Sequence, residues 1–462
     1  MKKSPFIIIL GACALLSGCK VYRSYERPAN LPTDSLYRDP VTGQLLATTD
    51  TVSFGNRPWR EIFTDPQLQS LIETALAQNN DLRQAQLTLE QAQYALKPAR
   101  LAYFPSLSFS PQGTVSSFDM AKATQTYSLP ITASWQFGSI GSLRNTKKQA
   151  ETSVFQAEAQ KQAVQTSLIS SVANMYYTLL MLDEQLKLTK ATAEIWKENV
   201  ETMKAMQVAA MTNSAAVSQS EANYQGILAT IPTLEQSIRS TENALCSILH
   251  EAPHSIARGQ LAAQQFPADL TVGVPMQLLS NRPDVKVAEM NLTYAFYGVN
   301  LAHSAFYPNI TLSGNAGWTN SGGAGIVNPG KFLASAVASL VQPLFQNGAL
   351  RAQLKIAKSQ QEAAQLNFEQ ALLNAGEEVS TALGSYQTAV TRTESVKKQV
   401  AALEKAAVET KDLFMHDPST TYLELLTAQQ SLLSAQLDLV SVQFDRMQAV
   451  ITLYQALGGG RN

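Results

Sequence analysis

Charged residues are scarce in this sequence of 462 residues. Asp, Glu, Lys and Arg together make up 15% of it, whereas about a quarter is usual for soluble proteins. The formal net charge is −1, and nothing in the composition indicates a nucleic-acid partner. Gln, Ala, Ser and Thr take the place of the charged residues, which suits packed helices and a hydrated, weakly charged wall.

Long apolar runs are missing beyond residue 19, because none approaches the roughly 18 residues of a membrane-spanning helix. Such a chain can cross a membrane only as a β-barrel. The one N-terminal apolar run, Phe6–Leu16, is short, follows two lysines and precedes two small residues. This arrangement predicts a secretory signal peptide over residues 1–18.

The end of that signal, Leu16-Ser17-Gly18-Cys19, resembles the bacterial lipobox. We therefore expect cleavage after residue 18 and attachment of diacylglycerol and an N-acyl chain to Cys19, which together anchor a protein stably. Cys13 is then lost and Cys246 remains alone, so no intramolecular disulfide is possible. Lys20 stands where an aspartate would retain a lipoprotein in the inner membrane, which favours the outer membrane.

The signatures of enzymes are also absent. The sequence has no H-E-x-x-H motif, no zinc-type cysteine pair, no P-loop and no nucleophile elbow. Two of its four histidines, His250 and His254, lie four residues apart, but Pro253 separates them and no carboxylate-rich motif follows. We therefore expect no catalytic residues, no metal and no cofactor apart from the lipid on Cys19.

An internal repeat is present, with a spacing of about 205 residues. Residues 104–108 recur as residues 307–311, and residues 143–144 recur as residues 350–351. An apolar stripe with steps of three and four predicts left-handed supercoiled helices. Its members in the second half are Leu423, Leu426, Leu433, Leu437, Val440, Phe444, Met447, Ile451 and Tyr454.

The same stripe occurs 206 residues earlier, with the polar residues Ser220 and Thr241 at two of its nine positions. A second stripe in the second half, formed by Leu425, Leu432 and Leu439, gives that helix two apolar faces and hence two neighbours. Both the wall of a helical cylinder and an ordinary antiparallel bundle have this property. Periodicity alone leaves the two open.

Proline is absent from residues 142–211 and 349–416. Each stretch predicts a helix of about 70 residues, which is about 105 Å at 1.5 Å per residue. Each helix ends at a polar turn with natural N-cap residues, from which a second helix returns. The first returning helix contains Pro232, where we expect a kink.

Short alternation of apolar and polar residues predicts strands in four places, near residues 104–117, 127–137, 310–318 and 332–345. Strands of about ten residues with one apolar and one polar face suit a transmembrane barrel. Four strands cannot close a barrel. Either several chains pool their strands, or the strands form a soluble sheet.

These patterns predict six segments. They are the signal peptide 1–18, a lipidated extended arm 19–62, a first repeat 63–252 with strands about 104–137, a linker 253–275, a second repeat 276–457 with strands about 308–345, and a C-terminal tail 458–462.

Several short motifs together identify a family. They are Trp59 with Ile62–Leu68, Leu279–Val285, Phe306–Ile310, Gln342–Phe345 with Gly348–Arg351, Tyr422–Leu426, and Leu453–Gly460. With these residues the chain resembles the TolC-type outer membrane efflux proteins, in the lipoprotein (NodT) branch that serves RND-type pumps. The motifs follow one another in order over essentially the whole mature chain, and as a set they are highly specific.

The resemblance implies a mainly helical fold with a transmembrane β-barrel, in which three protomers contribute four strands each to twelve. It implies a passive exit duct in the outer membrane for drugs or other small molecules, with a long helical tunnel in the periplasm. The implied partners are two further copies, a periplasmic adaptor, an inner-membrane RND pump and outer membrane lipid. Alternatives are an export duct for ABC-type protein secretion and a structural lipoprotein without a channel.

The resemblance also implies site residues. At the periplasmic aperture the family pattern is roughly Y-L-x-L-L-D-A-Q-R, and here Thr427 replaces the aspartate and Gln430 the arginine. Leu423 matches the apolar constriction, where a leucine ring can gate by dewetting, and Glu424 is a candidate source of charge. The adaptor-docking hairpin tips are Thr212, Asn213, Ser214 and Ala215, and Asp417, Pro418, Ser419 and Thr420.

Overall fold

The structure is a computed structural model. It describes residues 22–31, 36–38, 53–117, 119–139, 141–266, 281–322, 325–416 and 419–461. The predicted signal peptide, Cys19, Asp417 and Pro418 lie outside the described residues.

The chain forms two compact units, and each unit contains segments from both halves of the sequence. The sheet unit comprises Met1–Leu31, Thr88–Glu158 and Val287–Phe368, and the helical unit comprises Pro32–Leu87, Ala159–Lys286 and Glu369–Asn462. The predicted segment boundaries follow the repeat along the chain, and they stay a prediction.

Helices dominate the fold. In chain order they are α1 (Trp59–Ile62), α2 (Pro66–Gln78), α3 (Asn80–Leu101), α4 (Ser142–Val208), α5 (Ser214–Leu249), α6 (Pro283–Ser304), α7 (Ala349–His416) and α8 (Tyr422–Ala456). The two proline-free stretches are helices of 67 and 68 residues, which confirms that prediction. Helices α5 and α8 return from them, and α5 continues through Pro232 without a break.

The strands form one antiparallel sheet. They are β1 (Ser106–Phe109), β2 (Gln112–Ser116), β3 (Thr124–Gly138), β4 (Asn309–Gly322) and β5 (Gly325–Val341). Their order is β1-β3-β4-β5, and β2 also pairs with β3. The strand predicted near residues 104–117 is therefore divided in two. Pro111, between the two parts, has no N–H with which to continue the ladder.

One face of this sheet is apolar, as the alternation predicted. Leu129 pairs with Trp318, which pairs with Phe332, and residues directly opposite each other share a face. These three side chains are 40%, 57% and 60% exposed. No described residue of the sheet unit therefore covers this part of the apolar face.

No helix among the described residues has both the length and the apolar character needed to cross a membrane.

Helix α8 has two neighbours on two faces, as its two stripes predicted. On one face Leu432 and Leu439 pack against a buried cluster that includes Val396 and Val400 of α7. On another face, Leu433 and Leu437 line a cavity together with residues of α4 and α5. The helical unit is therefore held together by seams of apolar side chains between long helices.

Candidate functional site

The candidate aperture lies at the first turn of α8. Leu423 is 70% exposed, whereas Leu425 and Leu426 are buried at 3% and 4%. The packing of this protomer therefore uses the two later leucines and leaves Leu423 at the surface. A large apolar side chain exposed here is available to contact another copy or to line a passage.

Glu424 has a structural task at the same helix end. Its carboxylate accepts a hydrogen bond from the backbone N–H of Thr421 (3.0 Å), and its own N–H donates to the Thr421 hydroxyl (3.4 Å). This is a capping box, which satisfies backbone donors at the start of α8. The T-x-x-E pattern of a capping box is present in the sequence as Thr421–Glu424.

Removing the Glu424 side chain should loosen this first turn. We expect Glu424→Ala to cost about 1 kcal/mol of local helix stability, or roughly a fivefold faster amide exchange at Leu425, whose N–H donates to the Thr421 carbonyl oxygen (3.4 Å). Glu424→Gln is the matched control, since glutamine also completes a capping box. Equal exchange rates in the two variants would contradict the assignment.

The two positions that depart from the family pattern form no ion pair. The Thr427 hydroxyl donates to the carbonyl oxygen of Leu423 (2.8 Å), one turn back in the same helix. Gln430 lines the cavity between α4, α5 and α8. The neighbouring Gln429 accepts a hydrogen bond from Asn199 of α4 (2.6 Å), so an uncharged contact joins these two helices.

Ion pairs join the long helices elsewhere. Arg392 of α7 contacts Asp438 (2.9 Å) and Asp445 (3.7 Å) of α8. Lys190 and Lys204 of α4 pair with Glu235 (2.8 Å) and Glu221 (3.4 Å) of α5. Sequence reasoning missed these pairs, because their members lie 17 to 53 residues apart on different helices.

The first predicted hairpin tip joins α4 to α5. The Asn213 side chain accepts a hydrogen bond from the N–H of Ala216 (3.0 Å) and caps α5. Before the turn, Val208 and Met211 are 90% and 71% exposed. The sequence predicted the polar turn but not these exposed apolar side chains. The pattern of a long helix does not show which residues near its end are covered by neighbouring helices.

The second predicted tip joins α7 to α8. Of its four named residues, Ser419 and Thr420 are described, and Ser419 is exposed. Leu413 and Met415, at the end of α7, are 49% and 61% exposed. Exposed apolar side chains therefore precede both turns.

The segment between the repeats is anchored by partly buried polar contacts. Arg258 donates to Asp183 of α4 (2.5 and 3.0 Å) and to Glu242 of α5 (2.5 Å). The pairing with Asp183, followed by that with Glu242, raises the pKa of the arginine despite burial. Tyr176 of α4 donates to the Asp65 carboxylate (2.6 Å). Burial alone would raise the pKa of Asp65, but the hydrogen bonds that it accepts hold it below its usual value.

A second anchor lies where the C-terminal tail meets the arm. Tyr454 of α8 is fully buried with Phe54 and Phe63 at its edges, at centroid distances of 5.7 and 6.1 Å. Its hydroxyl donates to the carbonyl of Arg57 (2.8 Å) and accepts from the N–H of Gly460 (2.9 Å). Burial raises the pKa of Tyr454 to about 12, so the phenol stays protonated as a donor.

The chain is similar to known proteins over most of its length. The model of the family described as "Outer membrane efflux protein" matches residues 71–250 and again residues 274–459. The two matches together cover most of the chain. The chain belongs to the outer membrane efflux protein family.

Curated relatives of this efflux protein match it over nearly its whole length. It is 27% identical to the cation efflux system protein CusC of Escherichia coli, over 99% of this chain and 98% of the relative. It is 28% identical to the probable efflux pump outer membrane protein TtgC of Pseudomonas putida, over 98% and 93%. Among solved structures, the open state of the Neisseria gonorrhoeae MtrE outer membrane channel has a TM-score of 0.83 at 26% identity, over 96% and 99%.

These findings confirm the main predictions for this efflux protein. It is an outer membrane efflux channel component with a mainly helical fold and a strand region. Its place is the outer membrane, and its family is one of channels rather than enzymes. The roles of the individual aperture and tip residues stay predictions.

Proposed function

We propose that this efflux protein is the outer membrane channel of a tripartite RND-type system. It is a passive exit duct for drugs or other small molecules, and it receives them through a periplasmic adaptor from an inner-membrane pump. Three copies form the duct. The observation that carries the proposal is the sheet, whose apolar face is exposed and whose outermost strands leave backbone groups unpaired.

The sheet accounts for the trimer. Segments β1 and β2 lie end to end along β3, so together they occupy one strand position and each protomer supplies four strand positions. Four strands cannot close a barrel, whereas twelve from three copies form a barrel with no free edge. The exposed apolar face then contacts membrane lipid, where its side chains are stabilised.

The lipid anchor at Cys19 fits the same geometry. A Cβ built on Gly141 would lie 2.3 Å from the ring of Tyr22, so the arm passes directly over the junction between β3 and α4. Arg27, further along the arm, forms a bidentate pair with the buried Glu289 of α6 at 2.7 Å. Cys19 is three residues before Tyr22, and three residues span at most about 11 Å. Lipid on Cys19 can therefore reach the membrane beside the sheet.

The aperture and the adaptor-docking tips are formed by the residues that the sequence predicted. Leu423 forms an apolar ring at the periplasmic end of the duct, with Glu424, Thr427 and Gln430 around it. The adaptor contacts the two tips, Thr212–Ala215 and residues 417–420. The exposed apolar side chains before each turn add contact area suited to a helical partner.

Deleting the gene should make the host more susceptible to several unrelated drugs, because a pump without its exit duct cannot export them. Susceptibility of the deletion strain, compared with the same strain carrying the intact gene, measures this. Unchanged susceptibility together with loss of a secreted protein would favour the ABC-type secretion duct instead. The purified protein should migrate as a heat-resistant trimer and conduct in planar bilayers, which a structural lipoprotein would not do.

A further inference from the structure

The helices next to the sheet carry many cations and almost no carboxylates. Residues 91–150 contain one carboxylate, Asp119, and residues 290–361 contain none. Asp119 lies between β2 and β3, at the end of the sheet away from these helices. The whole chain has 35 Lys and Arg against 36 Asp and Glu, so this excess of positive charge is local. The cations in the turns nearest the sheet are Lys97, Arg100, Arg144, Lys147, Lys148, Arg351, Lys355 and Lys358.

The strand ends that adjoin these helices all lie at one end of the sheet. Ser106, the first residue of β1, pairs with Ser134 near the end of β3. Asn309, the first residue of β4, pairs with Val341, the last residue of β5. The helices α3, α4, α6 and α7 therefore meet the sheet at the same level, and their cations form one band beside it.

Aromatic side chains mark this end of the sheet as the membrane–water interface. Each of the four junctions between helix and strand has an exposed one. They are Phe104 before β1, Phe137 at the end of β3, Tyr307 before β4 and Phe345 after β5. Aromatic residues at the edges of an apolar band are typical of transmembrane barrels. Cations in the adjoining turns then lie near the depth of the lipid headgroups.

Three of these cations form a stripe on α7. Arg351, Lys355 and Lys358 have the spacing i, i+4 and i+7, which places them on one face of the helix. We call these three residues the basic stripe. All three are exposed, and none of them forms an ion pair within 4 Å with another described residue. On α4, in contrast, Lys148 pairs with Glu151 (2.9 Å). The basic stripe is therefore available to an anion from outside the protomer.

The internal repeat indicates which side of the wall the basic stripe faces. Arg351 is the repeat of Arg144, and each follows a glycine by three residues. These glycines, Gly348 and Gly141, have φ angles of +81° and +78°, and the carbonyl oxygen of each accepts the N–H four residues later at 3.0 Å. The start of α7 thus has the same geometry as the start of α4.

The N-terminal arm lies over one of these two places. A Cβ on Gly141 would meet the ring of Tyr22, whereas a Cβ on Gly348 would meet no described atom within 4 Å. The arm carries the lipid proposed above and therefore lies on the membrane side of the wall. The equivalent place at the start of α7 faces the same side and is not covered by any described residue.

In the proposed trimer the basic stripe lies beside further cations. The strand order places β1 and β5 at opposite edges of the sheet, so a barrel of three copies pairs β5 of one protomer with β1 of the next. Helix α7 follows β5, and α3 precedes β1. The basic stripe therefore lies beside Lys97 and Arg100 of the next protomer. Neither helix has a carboxylate in these turns, and since like charges repel, an anion between the two protomers is stabilised.

We propose that the basic stripe, together with Lys97 and Arg100 of the next protomer, binds the phosphate headgroup of an anionic phospholipid. The trimer then has three such sites, one at each boundary between protomers. Arginine binds phosphate through two parallel hydrogen bonds, and lysine binds it as a point charge. Leu344 and Phe345, which are exposed just before α7, contact the acyl chains of the same lipid. This inference rests on the proposed trimeric barrel.

The test measures lipid binding to the purified full-length trimer by native mass spectrometry. The variant Arg351→Gln with Lys355→Gln and Lys358→Gln removes the basic stripe, and it retains the fold because the three side chains are exposed and glutamine is a good helix former. We expect the wild type to bind phosphatidylglycerol more tightly than phosphatidylethanolamine, which has no net charge. The variant should lose roughly tenfold in affinity for phosphatidylglycerol and bind phosphatidylethanolamine as the wild type does.

The matched control removes three charges from the helical unit, through Lys187→Gln, Arg239→Gln and Lys405→Gln. These side chains are also exposed, and the control should bind phosphatidylglycerol like the wild type. Equal losses in the two variants would overturn the proposal, because net charge and not a site would then set the affinity.

Two further results would overturn it. Inorganic phosphate that competes as well as phosphatidylglycerol would show a site for free anions. A changed anion selectivity in planar bilayers with unchanged lipid binding would place the basic stripe in the lumen. The heat-resistant trimer and the conductance of the wild type test the proposed function separately, so failure of that function and failure of the lipid site are distinguishable.

Discussion

Replacing Arg282 with methionine should strongly destabilise the helical unit. Arg282 is 6% exposed and directly precedes α6. It donates to Asp284 (2.6 and 2.9 Å) and to the carbonyl oxygen of Ala456 at the end of α8 (3.0 Å). It also pairs with Glu378 of α7 (2.7 Å). One guanidinium thus joins three long helices.

The expected cost is about 3 kcal/mol, at the lower end for breaking a buried ion pair. It is at the lower end because the side chains of Asp284 and Glu378 are 50% and 56% exposed and can be hydrated once the arginine is gone. The Ala456 carbonyl, in contrast, loses its donor inside the fold. Denaturant unfolding of the detergent-solubilised protein measures the cost.

Arg392→Met is the matched control. Arg392 also contacts two carboxylates, but its side chain is 51% exposed, and exposed pairs contribute about 1 kcal/mol or less. The two variants make the same substitution at sites that differ mainly in how far the arginine is buried. Equal losses of stability in the two variants would show that the burial of Arg282 adds nothing to its contribution to stability.

Leu423→Ser should make the duct leak. Leu423 is exposed in the protomer, so serine there removes an apolar surface without opening a hole in the core. In an apolar ring, loss of the side chains lets water wet the constriction. A barrier lower by about 1.4 kcal/mol corresponds to a tenfold higher flux. We therefore expect larger single-channel conductance and antibiotic uptake that is higher by about this factor.

Leu413→Ser serves as the control for this variant. Leu413 is 49% exposed at the end of α7, and the resemblance does not place it in the aperture. It should leave conductance at the wild-type level. If both serine variants conduct like the wild type, Leu423 does not form the constriction.

Much of the fold was predictable from sequence because it depends on local chemistry. Missing prolines set the extents of α4 and α7, and alternation set the apolar face of the sheet. The two stripes on α8 correctly predicted two neighbours. The division of the first strand was also predictable from Pro111. The alternation of apolar and polar residues on both sides of this proline nevertheless favoured one continuous strand.

The candidate site was predictable in position and not in detail. The family pattern led to Leu423 and Glu424 as neighbours with related roles. The structure gives them different roles. The side chain of Leu423 is exposed and does not contribute to the core of the protomer, whereas Glu424 caps its own helix. Periodicity reports which residues share a face, but it does not report whether anything covers that face.

The sequence by itself determined the helix and strand types, the repeat and the family, because composition, spacing and local propensity carry that information. The signal peptide stays a prediction from the same kind of pattern. Only the tertiary structure decided which distant residues meet. Arg282 finds Glu378 across 96 residues, and Arg258 finds Asp183 across 75. Such pairs depend on the way in which the long helices pack against each other. This packing is determined jointly by all the side chains along the contact between two helices, so no single stretch of sequence predicts it.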